Sequence, residues 1–496
     1  MSKKLNGYDV VVVGSGFGGA LVADSLLSEG KSVLVLERGR WPYRDSKDWD
    51  QNQILLKQRY QGNVPTLVRQ YGARNFSEIY GNEVVGGKSV FYGGASLRLR
   101  ENDFINWPIS YDEFSLHYEK AEKLLGVHGY AGRDPCEPSG ISSYPFKPID
   151  LTAPAQRIEK AGRKLGLKPF SIPLAINFND SNRSQCQRCN TCDGFPCQIE
   201  AKNDVATTFL KGERSGALTI KPNAIVERVQ IKNGRAVAVE YIDKDSGDQC
   251  VVEGDVIVIA AGAIQSPALL LRSGVHHRLI GRFLMRHCNA VCSYVFPFIT
   301  NPEQIFHKQL CFSDYYEDMR NEYGTAVGVI QDIYTPASEV ISHHAPVGLS
   351  WIAGRLASFM QNLLCIAEDE GQISNNVSLS SQRDSWGIPI VQIEHEYSRS
   401  DMVRRNYLIK NARKILRKAG GLFSYTYPID SFSHAIGTLR IATTSEDGAL
   451  DPQCRVWSVD NLFVVDGSFM PSSGGVNPSL TIAANALRVV KHIVAN

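Results

Sequence analysis

Val10-Val11-Val12-Val13-Gly14-Ser15-Gly16-Phe17-Gly18-Gly19 is the stretch whose reading decides the fold. The run from Tyr8 to Val13 is β-rich and too apolar for a wet face, so it reads as a buried strand. The glycines follow the spacing G-x-G-x-x-G at Gly14, Gly16 and Gly19, with Phe17 and Gly18 between the last two. The first permits a tight turn, the second lets a pyrophosphate approach the backbone, and the third lets helix and strand close together. Ala20 to Leu27 has helical spacing, so phosphates would meet free N–H groups at a helix N-terminus. Val33 to Leu36 reads as a second buried strand ending at Glu37-Arg38. Glu37 lies 23 residues after Gly14 (37 − 14), where a carboxylate can accept hydrogen bonds from ribose hydroxyls. The fingerprint predicts a dinucleotide, and by itself does not separate FAD from NAD.

At 496 residues the chain has room for two or three structural units, and 43% hydrophobic with 21% charged residues is ordinary for a globular enzyme. A net charge of +2 supplies no strong field for collecting phosphates, so nucleic acid is not the expected partner. No run approaches 18 apolar residues, so no transmembrane helix is expected. Lys3 and Lys4 precede an apolar run of only Val10 to Val13, too short for a signal core; a cytoplasmic protein is expected. Further along, Tyr111 to Leu125 reads as an amphipathic helix, and residues 130–150, rich in Pro, Gly and Ser, as a surface connection. Pro222 to Tyr241 alternates in polarity with a hairpin turn at Asn233-Gly234. Asp255 to Ala261 is another apolar strand, followed by Gly262 and a short helix from Ser266 to Leu271. Residues 291–430 look β-rich with interspersed helices. Within them, Ser350 to Ala367 carries an apolar helical stripe (Trp351, Ile352, Leu356, Phe359, Met360, Leu364), read as core packing, a lid or a hydrophobic substrate wall. The expected fold is α/β, α+β overall. A Rossmann-like cofactor domain is assembled from residues 1–110, 200–290 and 431–496, and 111–199 with 291–430 form an inserted substrate domain of β-sheet and helices.

Other segments narrow the cofactor. Val84-Val85-Gly86-Gly87-Lys88-Ser89-Val90-Phe91-Tyr92-Gly93-Gly94-Ala95 is a second glycine-rich stretch. Near the C-terminus come Ser433-His434-Ala435-Ile436-Gly437-Thr438, then Asn461 to Ser468, Pro471 and Gly474-Gly475-Val476-Asn477-Pro478. Together these resemble the glucose–methanol–choline (GMC) oxidoreductases over nearly the whole chain and in the family's order. The wording around Phe91 to Ser96 and Gly474 to Thr481 is most similar to bacterial sugar and aminosugar alcohol dehydrogenases, such as the paromamine 6′-dehydrogenases of aminoglycoside biosynthesis.

The resemblance implies FAD-dependent oxidation of an alcohol to an aldehyde or ketone. That chemistry needs a proton acceptor near its working pH, which histidine supplies, and a donor to the oxygen that does not itself ionise, which an Asn amide supplies. By resemblance these are His434 and Asn477. The cofactor contacts it implies beyond the fingerprint are Gly86, Gly87, Ser89, Tyr92, Gly93 and Gly94, the backbone of Val226, Ala261-Gly262, Asp466-Gly467, and Asn477, Pro478 and Thr481. The last three open a helix whose dipole would favour an anionic reduced flavin. Some relatives attach FAD through a histidine in the segment matching Ser89 to Gly93; none is present here, so non-covalent FAD is expected. The substrate is expected to be a small sugar- or aminosugar-like alcohol, with oxygen or another compound as electron acceptor. Two alternatives remain: a sterol or other lipophilic alcohol, and an FAD-binding subunit without turnover, which the presence of both His434 and Asn477 disfavours.

Eleven cysteines include the crowded set Cys186, Cys189, Cys192 and Cys197. Its first intervals match an iron–sulfur motif while the last does not, leaving a cluster, zinc, local disulfides or free thiols clipping a loop; a structural loop without metal is favoured. Glu368-Asp369-Glu370 reads as a solvated face, or as an attractor for a cationic aminosugar.

Overall fold

The structure is a computed structural model that describes residues 3–4, 7–70, 72–141, 143–211, 217–306, 308–345, 348 and 350–495. In chain order its elements are β1 (Lys3–Lys4), β2 (Tyr8–Val13), α1 (Phe17–Ser28), β3 (Val33–Leu36), β4 (Thr66–Gln70), β5 (Ser77–Ile79), α2 (Tyr111–Leu124), α3 (Ala153–Lys164), β6 (Phe170–Ser171), β7 (Leu218–Lys221), β8 (Ala224–Lys232), β9 (Arg235–Asp243), β10 (Gln249–Ile259), α4 (Gly262–Arg272), β11 (Ala290–Val295), β12 (Leu310–Phe312), α5 (Arg320–Tyr323), β13 (Gly328–Ile333), α6 (Ser338–His344), α7 (Ser350–Leu356), β14 (Met360–Ala367), β15 (Asn376–Arg383), β16 (Pro389–His395), α8 (Arg399–Lys418), β17 (Phe423–Pro428), β18 (Leu462–Val464) and α9 (Ser479–Val494).

The four valines of β2 are almost fully buried because the strand is central in a parallel set. The order is β7-β3-β2-β10, and β18 lies along the other side of β10. Strand β10 serves two sheets. Its second half, from Gly254, runs parallel to β2 and β18, while its first half pairs antiparallel with β9 in the β8-β9-β10 meander. The Asn233-Gly234 turn joins β8 to β9, both residues having positive φ, as a tight hairpin requires. Helices α1 and α9 pack on one another beside the parallel strands, and α2 packs on α9. Helix α2, which the sequence groups with the substrate portion, thus packs on a helix near the C-terminus.

A second sheet has the order β17-β11-β14-β13-β12-β6, antiparallel throughout. Its two faces have different neighbours. Cys292, Tyr294, Leu310, Phe312, Ile330, Leu363 and Cys365 pack under Leu408, Ala412, Ile415 and Leu416 of α8. Val291, Cys311, Val329, Leu364 and Ile366 belong instead to the large core shared with the cofactor-binding strands. A smaller sheet, β15-β16-β4-β5, unites residues 66–79 with 376–395 and packs on α4. Its core takes in Phe432 and Ala435, so it buttresses the segment that carries His434.

The structure corrects one expectation here. Ser350 to Ala367 is not one helix: α7 stops at Leu356, and β14 takes over from Met360. Strand β14 is central and covered on both faces, so residues 363–367 form an apolar run without a period of two, which local pattern does not distinguish from helix. The exposed Trp351, Ile352 and Leu356 of α7 are not core.

Candidate active site

The fingerprint glycines divide by what a side chain would meet. A Cβ on Gly14, whose φ is +98°, would lie 2.5 Å from Ala260 O; on Gly18, 2.2 Å from Val465 O; on Gly19, 2.1 Å from Gly14 O. These three are required by the protein's own close packing. A Cβ on Gly16 would meet nothing within 4 Å. Gly16 is also the N-cap of α1 and provides no side-chain cap, so the first N–H groups of the helix face the space its missing side chain leaves. That is the cradle a pyrophosphate needs. Gly87 closes it from the other side, where a Cβ would come 3.4 Å from Gly16 Cα.

Ser15 ties the cradle together. Its Oγ donates to Glu37 Oε2 (2.6 Å) and accepts from Gly86 N (2.9 Å), and its N–H also donates to Glu37 Oε2 (3.1 Å). Gly39 N donates to Glu37 Oε1 (2.8 Å), which leaves that oxygen one acceptor site for a ribose hydroxyl. Burial raises the Glu37 pKa against these hydrogen bonds. Arg38 pairs with Glu83. Phe17 packs edge-on against Tyr92, whose hydroxyl donates to Asn203 O, and Ser89 Oγ donates to Gly86 O. Asp466 is fully engaged: Oδ1 accepts from the N–H and hydroxyl of Ser468, and Oδ2 from Gly262 N and Ser266. With both oxygens used, it braces the Ala261-Gly262 turn against the Gly467 turn. Val226 lies at a bulge in β8, and its carbonyl accepts from Arg272. Gly94 abuts Ile176.

His434 and Asn477 are each held by a partner that sequence reading missed, and the partner of His434 contacts the loop that leads to Asn477. His434 Nδ1 lies 2.8 Å from His287 Nδ1. His287 Nε2 lies 2.9 Å from Gly474 O and 3.2 Å from Ser473 O. Carbonyls only accept, so His287 carries its proton on Nε2 and offers a lone pair at Nδ1. His434 must then donate from Nδ1, which leaves its own Nε2 as a free lone pair. Burial above all holds the His434 pKa well below 6.5, and burial lowers that of His287 also. Asn477 Oδ1 accepts from Gln331 Nε2 of β13 (2.8 Å), so its two N–H bonds are turned away from Gln331 and available. Pro478 caps α9, and Thr481 in its first turn contacts Tyr118 Oη at 2.7 Å.

Glu368 and Asp369 are buried, not a solvated face, and only Glu370 keeps part of its side chain exposed. Asp369 is buried and accepts from the backbone N–H groups of Arg286 (2.7 Å) and His287 (3.0 Å), fixing the ring that orients His434. Glu368, pushed up to about 8 by burial and by nearby Asp103, accepts from Gly474 N and Ala326 N. Glu370 pairs with Arg404. Lys88, also missed, donates to Phe432 O (2.7 Å) beside the His434 segment, and desolvation pulls its ammonium down to about 8. The four crowded cysteines are half-buried free thiols, and burial pushes Cys186 up to about 11. Among the described residues no group of three or more His, Cys, Asp or Glu side chains is arranged to hold a metal ion, and no helix is long and apolar enough to cross a membrane.

Comparison with known proteins identifies the family. Two family models described as GMC oxidoreductase match the chain, one over residues 8–289 and the other over residues 372–486. The chain is 31% identical to 6'''-hydroxyparomomycin C oxidase of Streptomyces lividus, over 99% of its own length and 92% of the relative's. It is 30% identical to paromamine 6'-oxidase of Streptomyces fradiae over the same shares. The crystal structure of pyridoxine 4-oxidase from Mesorbium loti superposes with a TM-score of 0.71 at 20% identity, covering 98% of this chain and 99% of that one, a likeness of fold. The cradle fits FAD, which is the cofactor, and the enzyme acts on CH–OH groups. The chain belongs to the GMC oxidoreductase family.

Proposed function

We propose that this enzyme oxidises a small, polar, sugar- or aminosugar-like alcohol to an aldehyde or ketone, with His434 as proton acceptor and Asn477 holding the oxygen. The observation that carries this reading is the His287–His434 contact, which leaves a neutral imidazole with its Nε2 lone pair free. Bound FAD supplies the hydride-accepting ring. The remaining tasks belong to side chains. His434 Nε2 takes the hydroxyl proton, and burial keeps the ring ready for it at neutral pH. As His434 becomes charged, its Nδ1–H bond to His287 becomes charge-assisted and stronger. Asn477 donates to the substrate oxygen as negative charge gathers there, while Gln331 grips the other end of the carboxamide. FAD is held without a covalent bond by Gly14, Gly16, Phe17, Gly18, Gly19, Glu37 and Arg38, by the Gly86–Gly94 stretch, and by the turns at Ala261-Gly262 and Asp466-Gly467. The polar substrate class is supported by the two Streptomyces relatives, named as oxidases of 6'''-hydroxyparomomycin C and paromamine.

The deciding experiment is anaerobic stopped-flow on His434→Ala. Alcohol no longer bleaches the flavin, while FAD stays bound; reduction near the wild-type rate refutes the assignment. A lipophilic alcohol is the second reading, favoured by the exposed Trp351, Ile352 and Leu356 of α7. Bleaching by a sterol and by no sugar would select it.

A further inference from the structure

The cysteine-rich segment has no role in the chemistry so far, yet it is anchored at several points to the walls of the site. Lys202, almost wholly buried, donates to Cys192 O (3.1 Å) and Phe195 O (2.6 Å). Gly194, with φ of +91°, donates its N–H to Phe91 O (2.7 Å) in the second glycine-rich stretch. Cys189 bridges to Ile305, and Phe306 N donates to Arg188 O (2.8 Å), fastening the loop to these two residues. A loop held this way presents its side chains in fixed positions.

The side chain it presents is Asp193. Lys308 Nζ donates to Asp193 Oδ2, and the lysine is buried (4% exposed) while the carboxylate keeps 26% of its surface open. Both lie directly against Gly93: a Cβ there would come 2.8 Å from Lys308 Cδ and 3.0 Å from Asp193 Cγ. Gly93 belongs to the stretch that closes over the cofactor cradle, and Lys308 is close enough to depress proton affinity at His434. Asp193 therefore lies against the glycine-rich stretch whose Lys88 reaches the His434 segment, and among the described residues its Oδ1 receives no hydrogen bond. Tyr334 stands beside it. Its ring packs edge-on against Phe195, its hydroxyl lies 4.0 Å from where a Gly194 Cβ would be, and the charge of Asp193 acts on it. Lys308 and Asp193 are of opposite sign, so the buried ammonium has a partner at Oδ2 while Oδ1 remains to accept.

We infer that Asp193 and Tyr334, presented by the cysteine-rich loop, form the subsite that recognises the hydrogen-bond donors of a sugar ring, hydroxyl or ammonium, beyond the carbon that is oxidised. A carboxylate with an open oxygen beside a phenol suits adjacent donors on one ring face, and a monohydroxylated alcohol has no second donor to offer it. This inference rests on the sugar-like reading of the substrate and adds the residues that select it.

The test is calorimetric binding of methyl glucoside and of methyl glucosaminide to the FAD-loaded enzyme, for wild type, Asp193→Asn and Tyr334→Phe. Loss of a hydrogen bond to a charged group predicts that Asp193→Asn weakens binding of at least one sugar about 10- to 100-fold, with a smaller loss for Tyr334→Phe. A larger loss for glucosaminide identifies an ammonium at the subsite; equal losses identify hydroxyls. The double variant Asp193→Asn, Lys308→Met removes the pair together and covers the case in which an unpaired Lys308 disturbs folding. The kcat/KM ratio of methyl glucoside to 1-butanol should fall in parallel. Undiminished sugar binding in the variants, or no sugar binding by wild type, overturns the subsite. Weakened binding with no flavin bleaching by any alcohol leaves the subsite standing and removes the proposed reaction instead.

Discussion

His287 is the residue on which the catalytic reading turns, because a neutral imidazole is a base only at the nitrogen that lacks the proton. Two backbone carbonyls fix the proton of His287, and His287 fixes that of His434. His287→Leu should therefore lower kcat/KM about 10- to 100-fold, with FAD retained, a loss typical of removing a partner that orients a functional histidine. His287→Gln, whose side-chain oxygen can accept from His434 Nδ1, should restore part of it; equal impairment in both variants would mark His287 as structural only. The sign of the pH dependence follows from burial. If His434 takes the substrate proton as proposed, it works unprotonated, and because burial holds its pKa well below 6.5, kcat/KM should stay level from neutral pH downward and fall only below that value. An acid limb at or above 6.5 would contradict this. None of His287, Gln331, Asp193 or Lys308 was legible in the sequence. Each acts through a residue far away along the chain, and only the fold joins them, whereas His434 and Asn477 stand in motifs of their own.

At the scale of the element, α1 and the turn before it were readable because their constraints are local: three glycines are demanded by neighbours' backbones, and the fourth, Gly16, leaves open space at the helix N-terminus. This separates two substitutions that look alike in sequence. Gly18→Ala should lower the melting temperature, because a Cβ 2.2 Å from Val465 O forces α1 away from the turn after β18. The cost is on the order of 1–3 kcal/mol by analogy with overpacked cores. Gly16→Ala should leave the melting temperature of the apoprotein near wild type and weaken FAD affinity, read by flavin fluorescence on dilution. Equal melting shifts in both would show that Gly16 is also a packing residue. Strand β14 marks the opposite limit. Met360 to Ala367 is covered by α8 on one face and by the cofactor-binding core on the other, and such a strand carries no period to read.

Across the whole molecule, the parallel strands were foreseeable from apolar runs at Tyr8, Val33 and Asp255, but the β15-β16-β4-β5 sheet was not. Its halves lie some three hundred positions apart, and neither half says locally which partner it will find. The same separation governs β10, which needs β2 from the beginning of the chain on one side and β18 from near its end on the other. Contacts of such long range form late, since loop closure must be met before they stabilise anything. A ribosome-bound chain emerging from its N-terminus would thus complete the fingerprint turn long before the strand that closes the other flank exists. Flavin loading should be among the last events of biogenesis: nascent chains stalled before Asn461 should fail to retain FAD, however complete their glycine motif, and should gain it only once Val464 and the helix beyond it have been synthesised.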